Sequence, residues 1–301
     1  MADWLISIEG TEAGRTVAMM LALASALLHA IFCALQKGRH DPWLSRGAMD
    51  FSYGLMAAPI ALFLVPWPER ALWPILAISI VIHTGYKLVQ AMAYTRGAFT
   101  VVYPVVRGTG PVFTVIGAWL LFGETFTGTQ WVGIAVLVAG IFGLAAYNVR
   151  TIRIDRATLV PALGLAVLTG AFVASYTTWD AGGIRATANP FTYLAWMFFL
   201  EGLFVMPTIA ALRWRQMVQR PALGPLALRG VIGGVVALFG FGGIMLATRL
   251  DKVGEAAVLR ETSVVFAALI GWLLLKETVG ARRFALMALI ALGAVIVETG
   301  G

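Results

Sequence analysis

The chain has 301 residues, of which 60% are hydrophobic and only 12% charged, and its mean hydropathy is +0.86. Soluble domains carry about a quarter charged residues, so this composition excludes a water-facing globule and points to an integral membrane protein. The formal net charge of +7 sits mainly in short polar stretches between apolar runs, where it reports orientation in a bilayer and not a nucleic-acid partner.

A hydrocarbon core of about 30 Å needs roughly 20 apolar residues in a helix. Ten such runs are legible, beginning after the acidic stretch MADWLISIEGTEAGR. The first, near 16–36, carries a polar stripe of Ser25, His29, Cys33 and Gln36, and its counterpart later in the chain marks it as a span and not a cleaved leader. The second, 46–65, contains Asp50. The third, 72–94, places His83, Lys87, Gln90 and Tyr94 on one helical stripe with Tyr86 at its edge, and no acid shares that stripe. After the tight break TRGA, the fourth run, 98–122, aligns Tyr103, Arg107, Gly110 and Thr114. Pro104, Gly108 and Pro111 weaken the backbone ladder around Arg107, which makes them the expected hinge. The fifth run is 131–147.

The sixth, 158–179, offers Tyr176 and Trp179 one turn apart, and the seventh, 191–212, carries Glu201. The eighth, 226–248, is rich in small residues that allow close helix contact. The ninth, 255–275, holds Arg260 and Glu261, and the tenth is 283–298.

The fourth and ninth runs are copies. VVYPVVRGTGPVF and GEAAVLRETSVVF put Arg107 over Arg260, Thr109 over Thr262, Val112 over Val265 and Phe113 over Phe266, at an offset of 153 residues. The register extends without a gap over 92–140 and 245–293, including the pairs WLL and ET. The chain is therefore a duplication, 1–148 and 149–301, of five helices each. Five crossings leave the second copy inverted, the architecture of many secondary transporters with a site between the halves. The expected fold is an all-α membrane protein of ten transmembrane helices in two inverted five-helix repeats. Thirteen loop lysines and arginines, from Lys37 to Arg283, fall on one side against five on the other (Arg15, Arg70, Arg185, Arg249 and Lys252), which places both termini outside.

A charge at the centre of a span costs at least about 2.5–3.5 kcal/mol and persists where it meets partners, water or substrate. Arg107 and Arg260 either hold helices together through Glu261, Glu201 or Asp50, or they face a solute. His29 is either an interhelical hydrogen-bonding residue or part of a cavity. Three histidines, the single Cys33 and the lack of H-E-x-x-H or G-x-S-x-G support no catalysis, disulfide, cofactor or metal. Glu124-Thr125 and Glu277-Thr278 read as polar residues that fix helix exits.

Two five-helix repeats whose fourth helices end in WLLFGET and WLLLKET resemble the drug/metabolite transporter superfamily, and within it the EamA-type exporters, which include exporters of amino acids and aromatic amino acids. The resemblance implies a central cavity lined by the first, third, fourth, sixth, eighth and ninth helices, with the fifth and tenth peripheral. The expected substrate-binding residues are His83, Tyr86, Lys87, Tyr103, Arg107, Tyr176, Trp179, Arg260 and Glu261, with His29, Gln90 and Glu201 lining the cavity or serving coupling. A carboxylate would meet Arg107 or Lys87, and an ammonium would meet Glu261 or the faces of Tyr86, Tyr103, Tyr176 and Trp179. A zwitterion satisfies both signs. The expectation is a secondary transporter of amino acids or related zwitterions, an exporter in the inner membrane working by alternating access. A carrier of organic or phosphorylated anions and a structural or lipid-handling protein are the alternatives. The partners would be a small-molecule substrate and the lipid bilayer, with a proton at Lys87 and His83 or a counter-substrate, in a monomer or homodimer.

Overall fold

The apolar runs become helices whose ends are fixed by the polar residues between them. A computed structural model of the chain describes residues 2–36, 41–96, 99–151, 156–273 and 280–301, and among these every regular element is helical. In the first half they are α1 (Ala2–Ser7), α2 (Glu12–Gln36), α3 (Pro42–Pro59), α4 (Leu72–Arg96), α5 (Phe99–Phe122) and α6 (Gly128–Thr151). The second half contains α7 (Arg156–Arg185), α8 (Pro190–Leu203), α9 (Val205–Gln216), α10 (Leu223–Leu250), α11 (Val253–Arg260), α12 (Ser263–Leu273) and α13 (Ala281–Thr299).

Eight stretches of the described residues are long and apolar enough to cross a membrane: Glu12–Phe32, Pro42–Leu64, Leu72–Arg96, Val105–Phe122, Gly128–Tyr147, Leu159–Arg185, Pro190–Gln216 and Leu223–Leu250. The expected ninth and tenth runs correspond to α11 with α12, which is interrupted at 261–262, and to α13, and neither is among the eight. Large apolar side chains such as Phe63, Leu64, Val81, Val160 and Phe239 are exposed on the outside of the bundle, as helices bathed in lipid require.

The two halves open their second helices with the same chemistry. Asp41 accepts hydrogen bonds from the Trp43 and Leu44 amides (2.9 and 3.3 Å), and Asn189 accepts from the Phe191 amide (3.0 Å), each followed by a proline at the first helical position. Interruptions follow the prolines less simply. Pro59 leads into a π-helical turn over Ile60–Leu64, and Pro207 leaves the Leu203 carbonyl without its donor where α8 gives way to α9 at Phe204.

Packing respects the duplication. α2 lies against α10 as α7 lies against α4, and α2 against α11 and α12 as α7 lies against α5. The fifth helices, α6 and α13, pack on each other at one side. A Cβ on Gly133, Gly140 or Gly293 would run into the facing helix, so these glycines set the closeness of that contact. A similar approach joins α3 to α8. A methyl on Gly202 would lie 2.6 Å from the Asp50 carbonyl, and one on Gly54 would lie 2.9 Å from Gly202. That crossing brings Asp50 and Glu201, from different repeats, to the same depth.

Candidate functional site: a charged network beside a small central cavity

α4 delivers the polar stripe to the centre of the bundle. Ser79, His83 and Lys87 lie one turn apart and are all buried. The eight steps from Ser79 to Lys87 rise ~12 Å along the helix axis. The acids that their own helix lacks come from its neighbours. Asp180 of α7 is fully buried and accepts hydrogen bonds from Ser79 Oγ (2.6 Å) and Tyr193 OH (2.7 Å), while its other oxygen lies 2.6 Å from His83 Nε2. His83 Nδ1 faces Glu201 Oε1 at 3.2 Å. The same Glu201 oxygen pairs with Lys87, whose ammonium also reaches Asp50 Oδ2 (2.6 Å) and Tyr53 OH (3.0 Å). Asp50 Oδ1 then accepts from Arg46 Nε at 2.8 Å. Acidic and basic side chains alternate along the whole chain of contacts, from Asp180 to Arg46, which is how buried charges are tolerated.

A second cluster forms where the repeated arginines meet. α11 ends at Arg260, and Glu261 and Thr262 form a tight turn in which the amides of Glu261, Thr262, Val264 and Val265 bond to carbonyls three residues back. The Val264 amide goes to Glu261 and not to Arg260, so the Arg260 carbonyl is released from the helix ladder. Arg107 of α5 takes it up. Its Nη2 donates to the Arg260 carbonyl (3.1 Å) and to Ser263 Oγ (3.0 Å), and its Nε pairs with Glu261 Oε2 at 2.8 Å. The start of α11 is also held from α5's side of the chain. Glu124 accepts from the Val253 and Gly254 amides (2.7 and 3.0 Å), a carboxylate at a helix N-terminus.

Arg260 has a different environment. Its side chain is buried, yet among the described residues it makes no hydrogen bond or ion pair. Its guanidinium lies 5.8 Å from the centre of the Phe241 ring and borders a cavity of about 70 Å³. The cavity wall also includes His29 and Phe32 of α2, Arg46 and Tyr53 of α3, His83 and Tyr86 of α4, Tyr176 of α7, Phe198 and Glu201 of α8, and Phe241 of α10. Aromatic rings connect its parts: Phe241 sits 5.4 Å from the His83 ring, 5.8 Å from Tyr176 and 6.0 Å from Phe198. Glu201 of α8 was expected at the cavity, but the lining helices implied by the resemblance included neither α3 nor α8.

A family model described as the EamA-like transporter family matches residues 16–146 and 160–299. The chain belongs to the EamA-like transporter family. The two matched segments are the two repeats, so this is a multi-pass membrane protein and a transporter of small molecules by family. A solved crystal structure of a protein 19% identical in sequence aligns over 94% of this chain and 97% of that one with a TM-score of 0.74. At that identity the likeness shows the fold. No curated protein matches the chain.

Within this EamA-like transporter, the sequence-derived residues separate into groups. His83, Tyr86, Tyr176, Arg260, His29 and Glu201 border the central cavity. Tyr103, Gln90 and Arg107 border a smaller adjoining space with His29 and Tyr86, where Gln90 donates to Tyr86 OH at 2.6 Å. Lys87 lies behind the wall, occupied by Asp50 and Glu201. Trp179 is turned to the packing side and donates to the Ile75 carbonyl at 3.0 Å. Arg107 and Glu261, expected as receptors for opposite ends of a solute, pair with each other.

Pro104, Gly108 and Pro111 lie in a helix that runs unbroken from Phe99 to Phe122; Gly108 packs near Ile141 and Phe142 of α6. The break falls instead at the second-repeat turn, where Arg107 is available to hold it. The side chains of Pro104, Cys33 and Gln36, and Glu277-Thr278 entirely, lie outside the described residues. Asp180 was missed because the stretch beginning DAGG reads as a loop, whereas α7 continues to Arg185. Ser79, one turn before His83, was the available clue that the stripe extends toward another polar group.

Proposed function

We propose that this protein carries amino acids or closely related zwitterions across the membrane by alternating access, with Arg260 receiving the carboxylate and Glu201 with the aromatic wall receiving the ammonium. The observation that carries this reading is the contrast among buried basic residues. Lys87 and Arg107 are committed to carboxylates, while Arg260 borders the cavity with no hydrogen bond or ion pair among the described residues. A desolvated guanidinium without a counter-ion is a strong receptor for a planar carboxylate. Across the Phe241 and His83 rings from it, Glu201 makes both of its ion pairs through Oε1 and borders the same cavity. Its second oxygen, together with the faces of Tyr86 and Tyr176, suits an ammonium.

The cavity has room for roughly two waters, each taking about 30 Å³. A solute of amino-acid size enters only if the repeats separate, which is the motion that inverted repeats make around a fixed site. The broken helix α11–α12 and the kinked pair α8–α9 supply short segments able to move against the continuous α4 and α5.

The test is counterflow in proteoliposomes holding the purified protein, loaded with unlabelled amino acids and given a labelled mixture of the twenty common amino acids outside. Uptake should require internal compounds that have both a carboxylate and an amine. Equal exchange with carboxylates or phosphate esters that lack an amine would replace this reading with an anion carrier centred on Arg260. Exchange with none of them would leave the buried charges as packing devices.

A further inference from the structure

The two nitrogens of one imidazole have different needs, and His83 meets them in an unusual way. Nε2 lies 2.6 Å from an Asp180 oxygen and Nδ1 lies 3.2 Å from a Glu201 oxygen. Neutral imidazole has one donor and one acceptor nitrogen, whereas imidazolium has two donors. Facing a carboxylate on each side, a neutral ring would set one lone pair against another unless an acid held the missing proton.

The acids' other contacts locate that proton. Asp180 Oδ1 already accepts from two hydroxyls, Ser79 and Tyr193, as an ionised carboxylate does. Glu201 Oε1 is paired with the Lys87 ammonium. These contacts favour the ionised form of both acids, and with both ionised both ring nitrogens carry hydrogen. The ledger of charge agrees. With Asp180, Glu201 and Asp50 ionised, three negative charges meet the two positive ones of Lys87 and Arg46, and one further proton within the Asp180–His83–Glu201 group makes the network neutral.

The surroundings bear on the same ring from every side. Tyr86 shares its helix, Tyr176 of α7 stacks on it at 4.6 Å, and Tyr53 of α3, His29 of α2 and Arg260 of α11 border the same cavity. Arg260 opposes a second positive charge there, and a substrate carboxylate would neutralise it.

We infer that His83, held between Asp180 and Glu201, carries an exchangeable proton that a substrate ammonium displaces, which makes the protein a proton–substrate antiporter. The inference rests on the zwitterion reading above. As the ammonium docks on Glu201 Oε2, the carboxylate's hold on His83 Nδ1–H at Oε1 weakens, and the Nδ1 proton leaves to water through the cavity. One positive charge enters the network and one departs, so no net charge is buried. Asp180 keeps Nε2–H throughout and acts as a positioning residue. Because the His83 proton and the ammonium compete for the charge of one carboxylate, a proton gradient directed inward drives the cargo outward.

Two measurements test this. In detergent at pH 7.5, 15N NMR of histidine-labelled protein, with His83→Gln used for assignment among the three histidines, should show both His83 nitrogens protonated. A neutral His83 would overturn the inference whatever the cargo. In weakly buffered solution, the mixture of twenty amino acids should release about one proton per protein, read with an indicator dye. Asp180→Asn should release none, because an Asn amide donates to Nε2 and lets His83 rest neutral, and a proton gradient should then leave its transport rate unchanged. Active wild-type counterflow without proton release would defeat the inference alone. A wild-type protein without counterflow would defeat the zwitterion reading, and the antiport inference would fall with it.

Discussion

Arg107 and Arg260 occupy equivalent positions in two copies of one helix, yet they have opposite surroundings. In the first copy α5 passes Arg107 without interruption, although Gly108 and Pro111 follow it. In the second copy the helix breaks directly after Arg260, where the sequence reads Glu261-Thr262 and has neither glycine nor proline. The break frees the Arg260 carbonyl, and Arg107 spends its guanidinium on that carbonyl, Ser263 and Glu261. No reciprocal break exists in α5 for Arg260 to hold, so its side chain remains available to the cavity. Because only one of the two helices is broken, a duplicated residue has become one anchor and one side chain left facing the cavity, which the proposed function makes the receptor.

The sharpest way to break this contrast is to remove the anchor. Arg107→Ala leaves Glu261 buried without its guanidinium, and disrupting one partner of a buried pair costs about 3–5 kcal/mol. We expect poor folded yield and a lowered Tm, so loss of transport in this variant would report structure. The double variant Arg107→Met with Glu261→Gln removes both charges and should regain more than half of that loss in Tm. A single variant as stable as wild type would show that Arg107 is not the anchor.

The sequence exposed some of this and hid the rest for definite reasons. Local repetition made the duplication plain, and helical periodicity put His83 and Lys87 on one face. The acids that meet them sit on α3, α7 and α8, and the rotation of those helices follows from packing, including the Gly54–Gly202 contact. Asp180 was hidden by a span boundary, since α7 extends six residues past the apolar run expected to end at 179. The break at 261–262 was hidden more deeply. Propensity assigns weakness to the glycine- and proline-bearing copy, while a tertiary partner, Arg107, stabilises a turn in the other. Pairing of Arg107 with Glu261 therefore had to be seen, because sequence alone allowed Glu201 and Asp50 equally.

The second prediction concerns the receptor. Arg260→Ala removes a side chain with no hydrogen bond of its own among the described residues, so folded yield and Tm should change little. Counterflow should fall by about 30-fold or more, in line with ~2–5 kcal/mol for a desolvated charge contact. Arg260→Lys should recover only part, since an ammonium lacks the planar fork that binds a carboxylate at two points. Equal activity of the alanine variant would move the carboxylate site away from Arg260.

A smaller effect is expected at Phe241, whose ring lies under the Arg260 guanidinium and against His83. Phe241→Leu preserves apolar volume but removes the ring face, which is worth about 0.5–2 kcal/mol to a cation depending on its desolvation. The apparent affinity in counterflow should weaken by about 2- to 30-fold with little change in Tm. A stability loss larger than the affinity loss would make Phe241 a packing residue first.

The mildest break tests whether α11 is held at its far end as well. Glu124 accepts from the first two amides of α11 and lies 3.7 Å from Arg185. Glu124→Ala removes the acceptor and the negative charge that faces the helix dipole, a loss of about 1 kcal/mol by analogy with other N-terminal caps. Glu124→Gln keeps one acceptor oxygen and should lose less. The direction of any transport change separates two roles for the short helix. If α11 is a static support for Arg260, slackening its start lowers affinity. If α11 swings when the repeats separate, the same slackening leaves affinity in place and raises the exchange rate, because the contact with Glu124 must open in each cycle. Rate and affinity measured together on the alanine variant distinguish the two.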